Sequence, residues 1–232
     1  MTVTVIREYG DAGLLVEPAA DAEEAWAVAQ GLAASLVDDP PDGLVDVVAS
    51  FRHAFVTFDP VRTDHAAMEA ALRSRLDRAT PSATRRTFSV PVVYGGDHGP
   101  DLADVADELG TSPDDLVALH TGEAWVLRFV GSPVAALFVD VPPLPAEVPR
   151  MRSPRTKIPP GSVAVSGRQS MIYPVPSPGG WRLLGRTPVT LFDLADPDLV
   201  SYRPGDLVRF VPIEPDAWDE HAGRRLEPDE PA

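Results

Sequence analysis

The chain has 232 residues, of which 44% are hydrophobic and 24% charged, a composition typical of a globular protein with one or two domains. It contains no cysteine, which excludes disulfides, thiolate zinc sites and a thiol nucleophile. The net charge of −15 argues against nucleic-acid or anionic-membrane binding, and the sequence shows neither a secretory leader nor a long apolar run, so we expect a cytoplasmic protein.

Residues 1–80 predict an α+β domain with the element order β-β-α-β-β-α. Asp21 and Asp64 are the predicted N-caps of the two helices, and Glu24 stands three residues after Asp21, as in a capping box. Short apolar segments separated by turn residues predict the four strands. These strands are expected near 3–9, 14–16, 44–48 and 51–58. The polar segment 79–86 predicts the domain boundary.

Residues 87–213 predict a second domain that consists mostly of β-structure. A strand at 88–94 precedes two short helices, one capped by Asp101 and one by Ser112, and the second ends near His120. Six further short strands separated by proline and glycine are typical of a small barrel or sandwich. They are expected at 125–129, 134–140, 162–165, 171–173, 181–184 and 207–211. Residues 214–232 predict an acidic, flexible tail.

A basic segment, residues 149–188, interrupts this acidic chain. It holds six arginines, Lys157 and no Asp or Glu, so it carries +7 and leaves −22 for the rest of the chain. Clustered guanidinium groups without neighbouring carboxylates are unfavourable unless they are solvated or meet an anion. The segment therefore predicts a binding site for a carboxylate or phosphate, with an exposed basic rim as the alternative. The preferred anion-binding residues lie in loops, within two residues of Pro or Gly: Arg150, Arg152, Arg155 and Arg186.

Two loops of the basic segment have ligand-binding features. In SPGGW, at 177–181, Gly179 and Gly180 allow close backbone approach and free N–H groups beside Trp181. A tight hairpin turn is the alternative interpretation. GRTP follows and adds a cation and the hydroxyl of Thr187, so that two such loops together favour a pocket.

Histidines offer one candidate for proton transfer. His120, at the end of a predicted helix, can act as a general acid or base or can cap the last carbonyls. The five histidines show no metal-ligand spacing, so we expect no metal. No P-loop motif occurs, so ATP, if it is used, is not held in that way.

The motif order SPR, PPGSVAVSG, RQSMIYP, SPGGW, GRTP and PGDLVRFVPI resembles the B subunit of bacterial ATP-dependent 5-oxoprolinase. That family is also described as allophanate hydrolase subunit 1 and as sporulation-kinase inhibitors. YGDAGLLVE at 9–17 and GLVDVVASFRHAFVTFDP at 43–60 extend the likeness to the N-terminal half. The resemblance implies a ferredoxin-like α+β domain at 1–80, followed by a cyclophilin-like β-barrel domain at 87–213.

The same resemblance implies ATP-driven opening of the lactam of 5-oxoproline to glutamate. ATP would be the co-substrate, 5-oxoproline the small anionic substrate, and a companion C-type subunit and a separate A-type subunit the partners. Arg155 and Arg186 would then neutralise the substrate carboxylate or the transferring phosphate, and His120 would move a proton. Gly179 and Gly180 would donate N–H groups. The other expected pocket residues are Arg150, Gln169, Tyr173, Trp181 and Thr187.

Two departures from the family pattern leave other functions open. A family segment of the type GFxPGFxYL is replaced by FVGSPVAALFV at 129–139. The family usually has a small residue directly before IYP, whereas this chain has Met171 there. Arg168 is a cation at a position where a smaller residue is common. The alternatives are a regulatory protein that binds a histidine kinase without turnover, and a repurposed barrel that acts alone on another small cyclic or carboxylated molecule.

Overall fold

The computed structural model describes residues 3–76, 85–132, 134–140 and 144–230. The chain forms two compact units, Met1–Thr84 and Arg85–Ala232. Of the predicted boundary segment, 79–86, all but the last two residues lie outside the described part. Among the described residues, no helix combines the length and the apolar character needed to cross a membrane.

The first unit has the predicted order of elements. Its elements are β1 (Val3–Glu8), β2 (Gly13–Ala19), α1 (Ala22–Asp38), β3 (Leu44–Ala49), β4 (Ala54–Phe58) and α2 (His65–Leu76). The strands form one antiparallel sheet in the order β1-β2-β4-β3. Both helices begin at the predicted caps, because the carboxylates of Asp21 and Asp64 accept hydrogen bonds from the backbone N–H of Glu24 and Ala67. The α+β character of this unit is confirmed.

The core of the first unit lies between the sheet and its helices. Side chains alternate along a strand, so Leu14 and Val16 of β2 are fully buried whereas Leu15 between them is only half-buried. Leu32 and Leu36, one turn apart on α1, pack into the same apolar cluster. The apolar face of α1 therefore packs against the sheet.

The second unit is built on a closed seven-stranded barrel. Its elements are β5 (Thr87–Tyr94), α3 (Leu102–Glu108), α4 (Pro113–Thr121), β6 (Ala124–Gly131), β7 (Ala136–Asp140), β8 (Arg155–Ile158), β9 (Ser162–Ser166), β10 (Gln169–Ile172), β11 (Ser177–Gly179), β12 (Arg182–Arg186), β13 (Leu207–Pro212), a 3₁₀ helix (Pro215–Ala217) and α5 (Trp218–His221). The barrel order is β10-β7-β6-β13-β5-β12-β9, and β9 pairs with β10 to close it. This closed barrel fits the predicted cyclophilin-like fold.

Two strands of the second unit were not predicted. β8 and β11 form a separate two-stranded sheet, in which Ser177 pairs with Ile158 and Gly179 with Arg155. The proline and glycines of SPGGW predicted a ligand-binding loop or a tight turn rather than a strand, because these residues are rare in strands. A short strand at the edge of a two-stranded sheet tolerates them.

The structure differs from the predicted flexible tail, residues 214–232. Leu226 is 2% exposed and belongs to the apolar core of the barrel. Asp229 accepts hydrogen bonds from the backbone N–H and the hydroxyl of Ser89, at 3.1 and 2.9 Å. One apolar side chain and one well-placed carboxylate thus anchor a segment whose composition is otherwise that of an exposed tail.

Candidate functional site

Only part of the basic segment remains without carboxylate partners in the fold. Three of its arginines pair with acidic residues from outside the segment: Arg155 with Asp101, Arg168 with Glu147 and Arg182 with Glu108. For the other cations, no carboxylate of the described residues lies within ion-pair distance. These cations are Arg150, Arg152, Lys157 and Arg186.

Arg155 is occupied by an internal partner. Its guanidinium donates two hydrogen bonds to Asp101, with Nη1–Oδ2 and Nη2–Oδ1 distances of 2.9 and 2.8 Å. Asp101 is 5% exposed and also accepts a 2.7 Å hydrogen bond from the backbone N–H of Leu183, so it does not cap α3 as predicted. This pairing connects β8 with the start of α3 and favours a structural role for Arg155 over the expected role in binding the substrate anion.

His120 lies inside the barrel rather than in a surface cleft. Its side chain is 1% exposed, with Nδ1 2.7 Å from the hydroxyl of Tyr94 and Nε2 3.0 Å from the hydroxyl of Ser170. Ser170 donates its own proton to the carbonyl of Ala164 at 3.1 Å, so it accepts from Nε2–H and leaves Nδ1 to accept from Tyr94. Every polar group of this chain of hydrogen bonds has a partner.

This position does not favour the catalytic role that was expected for His120. Burial lowers its pKa to about 3, so the imidazole is neutral near pH 7. A general acid or base must come within about 2.6–3.2 Å of the proton it transfers, and both ring nitrogens are already bound to other side chains. His120 instead links α4 to β5 and β10 through the barrel interior.

Tyr173, Gly179 and Trp181 lie close together and form a packed cluster. Tyr173 is 4% and Trp181 9% exposed, and both belong to one apolar cluster with Ile158. A Cβ on Gly179 would lie 2.3 Å from the hydroxyl oxygen of Tyr173 and 2.8 Å from Cδ1 of Ile158. Glycine at 179 therefore leaves room for the tyrosine, which explains the residue without a ligand.

Arg150 and Gly180 lie beside this cluster. The guanidinium carbon of Arg150, an exposed residue, is 5.8 Å from the ring centroid of Trp181. Burial raises the pKa of the Tyr173 hydroxyl, and the positive charge of Arg150 opposes that rise. The carbonyl of Gly180 accepts a 2.7 Å hydrogen bond from the backbone N–H of Met151. Arg150 thus remains an exposed cation beside an aromatic ring.

Gln169 and Met171 lie on β10. Gln169 is half-buried at the start of that strand and stands opposite Asp140 of β7. Met171 packs in the same apolar cluster as Ala136.

Arg186 and Thr187 are positioned by the PPG turn, residues 159–161, which directly precedes β9. The backbone N–H of Thr187 donates a 2.9 Å hydrogen bond to the carbonyl of Gly161. Gly161 has φ +82°, and a Cβ there would lie 2.3 Å from the carbonyl oxygen of Thr187. Only glycine fits both the backbone conformation and this close approach. The PPG turn and the predicted GRTP loop therefore meet through their backbones.

The guanidinium of Arg186 is held from two directions. Its Nε donates a 2.8 Å hydrogen bond to the carbonyl of Pro160, and its Cζ lies 5.2 Å from the ring centroid of Trp218. The ring of His98 lies 4.9 Å from the same Trp218 ring. Within the described part of the chain no carboxylate pairs with Arg186, so its terminal N–H groups are free to bind an anion in a fixed orientation.

Two neighbouring cavities share Arg186 and Trp218. The larger is an open cleft of about 700 Å³. Its lining residues are His98, Arg186, Pro215, Asp216, Trp218 and Asp219. The smaller, of about 170 Å³, is also bordered by Gly161 and Thr187. The larger volume lies within the usual range for small-molecule sites. We call it the Arg186 cleft.

Four residues of this cleft with polar or aromatic side chains were not predicted from the sequence. His98, Asp216, Trp218 and Asp219 line it together with Arg186. Three of them belong to the segment that was expected to be a flexible tail. A tryptophan inside an otherwise polar segment was the signal that could have located it, because so large an apolar ring is rarely left in solvent.

The predicted site residues do not converge on one pocket. Arg155 and Ile158 bound β8, and a strand rise of about 3.3 Å per residue separates them by about 10 Å. Gly179 pairs with Arg155, whereas Arg186 is bound to Pro160, beyond the other end of β8. The Arg186 cleft can bind a small carboxylate or phosphate, and the cluster around Tyr173 is a separate feature.

Comparison with known proteins identifies relatives of this chain. The 5-oxoprolinase B subunit of Escherichia coli O157:H7 is 43% identical over 127 residues, which cover 55% of this chain and 58% of that protein. The 5-oxoprolinase B subunit of Bacillus subtilis (strain 168) is 29% identical over 221 residues, 90% of this chain and 92% of that protein. The similarity thus extends over both units.

A solved structure and a family model also match this chain. The crystal structure of the protein TTHA0988 matches with a TM-score of 0.79 and 33% identity, over 90% of this chain but only 41% of that longer chain. The model of the carboxyltransferase domain, subdomain C and D, matches residues 4–200. The chain therefore belongs to the carboxyltransferase-domain family, subdomains C and D, and is similar to bacterial proteins named as the B subunit of 5-oxoprolinase.

Proposed function

We propose that this chain is the B-type subunit of an ATP-dependent 5-oxoprolinase-type amidohydrolase, which opens the lactam of 5-oxoproline to glutamate. The observation that carries the proposal is the guanidinium of Arg186, fixed by Pro160 and Trp218 in an open cleft. At neutral pH 5-oxoproline carries one carboxylate, and an arginine fork binds a carboxylate through two parallel hydrogen bonds.

The proposed reaction needs both positioning and activation of the substrate. An amide carbonyl resists attack by water, and phosphorylation of its oxygen by the co-substrate ATP makes the carbon electrophilic. Arg186 would hold the substrate by its carboxylate beside Thr187 while the carbonyl is activated. Arg150, the exposed cation beside Trp181, is proposed as a secondary anion contact. We assign no proton-transfer role to a residue of this chain.

Companion subunits are part of the proposal. Both bacterial relatives are named as B subunits, and the chain spans 58% of the Escherichia coli relative and 41% of TTHA0988. We therefore propose that activity requires a companion C-type subunit and a separate A-type subunit. ATP enters as a co-substrate of the assembled complex.

The first unit is proposed to be a permuted ferredoxin-like domain. β2 and β3 both run antiparallel to β4, which lies between them, so they are parallel to each other and are joined by α1. This is the split β-α-β arrangement of ferredoxin-like folds. The strand that ends the usual β-α-β-β-α-β order stands first here, as β1.

The test is 5-oxoproline-dependent ATP hydrolysis by the chain combined with its companion subunits. We expect Arg186→Gln to lower kcat/KM for 5-oxoproline about ten- to a hundredfold, since a hydrogen bond to a charged group contributes about 1.5–3 kcal/mol. The matched control is Arg209→Gln, which removes an exposed cation from β13 and should leave kcat/KM unchanged.

Two results would contradict this proposal at different points. If no combination of subunits hydrolyses ATP in response to 5-oxoproline, the proposed activity is wrong, and tight binding of a histidine kinase would then favour the regulatory alternative. If the complex is active and Arg186→Gln matches the control, the activity stands and the role of Arg186 is wrong.

A further inference from the structure

The Arg186 cleft contains charges of both signs that are not paired with each other. Asp216 and Asp219 line it together with Arg186. Among the described residues, Arg186 makes no ion pair, and neither aspartate has an ion-pair or hydrogen-bond partner for its carboxylate. Internal pairs neutralise Arg155 and Arg182 in the same unit, so the cleft differs from the rest of the basic segment.

Local structure does not use the two aspartates as helix caps. Asp216 lies in the first turn of the 3₁₀ helix and Asp219 in the first turn of α5. The N-cap positions of these helices are held by Glu214 and Ala217, and neither makes a side-chain capping hydrogen bond. Trp218, between them in sequence, contacts the guanidinium of Arg186. The segment that fixes Arg186 therefore also brings two carboxylates to the same cleft.

Such a cleft favours a ligand that carries one carboxylate and one ammonium group. The carboxylate of the ligand would meet Arg186, and the ammonium group would be attracted by Asp216 and Asp219. A triphosphate would place several further negative charges beside the two aspartates. A ligand with a carboxylate and no ammonium group would meet Arg186 but would leave Asp216 and Asp219 without a counter-charge.

We propose that the Arg186 cleft binds the ring-opened amino acid glutamate more tightly than the lactam 5-oxoproline, because ring opening creates an ammonium group that Asp216 and Asp219 attract. The choice of these two ligands rests on the proposed function. They share a carbon skeleton and an α-carboxylate. Hydrolysis adds one water, breaks the C–N bond, and leaves an ammonium group where the lactam nitrogen was uncharged. It also creates a second carboxylate, which the open cleft leaves in solvent, away from the two aspartates.

The experiment is calorimetric titration of the full chain with L-glutamate and with 5-oxoproline. We expect glutamate to bind about tenfold or more tightly than 5-oxoproline. In the double variant Asp216→Asn with Asp219→Asn, the affinity for glutamate should fall until this ratio approaches one, while the affinity for 5-oxoproline is kept or improved. Arg186→Gln should weaken both ligands.

A matched control separates the two aspartates from general effects of charge. Asp114→Asn removes an exposed carboxylate from the first turn of α4 and should leave the ratio unchanged. Equal affinity for the two ligands, no detectable binding of glutamate, or an unchanged ratio in the double variant would each overturn the inference. None of these results bears on ATP hydrolysis by the assembled complex, which tests the proposed function separately.

Discussion

Arg155 and Arg186 come from the same basic segment and have opposite surroundings. Arg155 is bound to Asp101 through two hydrogen bonds, and its side chain is 26% exposed. Arg186 is bound to a carbonyl and an aromatic ring, which restrain its guanidinium without neutralising the charge. The partners, rather than the residue type, decide which arginine can meet an external anion.

This difference predicts that Arg155 stabilises the fold and does not bind the proposed substrate, 5-oxoproline. Arg155→Gln should lower the free energy of unfolding by about 3 kcal/mol, because the buried carboxylate of Asp101 loses its counter-charge. Urea denaturation followed by tryptophan fluorescence measures this change. Arg152→Gln, at an exposed arginine, is the control and should change stability by less than about 0.5 kcal/mol. Unchanged stability together with lost 5-oxoproline binding would restore the role expected from sequence.

At the level of secondary-structure elements, the small sheet of β8 and β11 changes the interpretation of the SPGGW motif. The sequence indicated glycines that expose N–H groups to a ligand. In the structure Gly179 pairs with Arg155 and faces the hydroxyl of Tyr173 at a distance that excludes a Cβ. A neighbouring glycine, Gly180, has space for a Cβ, whose nearest contacts would be at 3.6 Å.

The two glycines should therefore respond differently to the same substitution. Gly179→Ala should lower the free energy of unfolding by about 1–3 kcal/mol, because the added methyl group forces Tyr173 or Ile158 to move. Gly180→Ala should be neutral or slightly stabilising, since it only restricts the unfolded chain. Denaturation midpoints of the two variants give the comparison. Equal stability with equal loss of ligand affinity would instead indicate an anion-binding loop.

The connection between β6 and β7 contains a residue whose backbone conformation was not predicted from the sequence. Ala135 is buried and has φ +52°, a conformation that favours glycine. Ala135 therefore holds a backbone conformation that residues other than glycine rarely adopt, which the local sequence did not indicate.

For the whole molecule, local signals were predictable and long-range pairings were not. The caps Asp21, Asp64 and Ser112 bind backbone groups three residues away, so the sequence alone located them. The parallel pairing of β13 with β5 and the bond between Arg155 and Asp101 join residues far apart in sequence. Charge counting found the basic segment, but it could not tell which of its arginines the fold would neutralise.

The buried hydrogen bonds of His120 predict how the stability of the second unit depends on pH. The pKa of His120 is about 3 in the folded protein and about 6.5 in the unfolded chain, so between these values the unfolded state binds the extra proton. This contribution is fully present above pH 6.5 and is lost as the pH falls towards 3. From pH 7.5 to pH 5 the loss is about 2 kcal/mol.

Urea denaturation between pH 7.5 and pH 5 measures this slope. His120→Gln should lower stability at pH 7.5 but reduce the further loss at pH 5, because no imidazole remains to be protonated on unfolding. His221→Gln, in the last turn of α5, should keep the slope of the parent chain. If the imidazole of His120 titrates near pH 6.5 by NMR in the folded protein, it is reached by solvent, and its structural role gives way to the proton-transfer role expected from sequence.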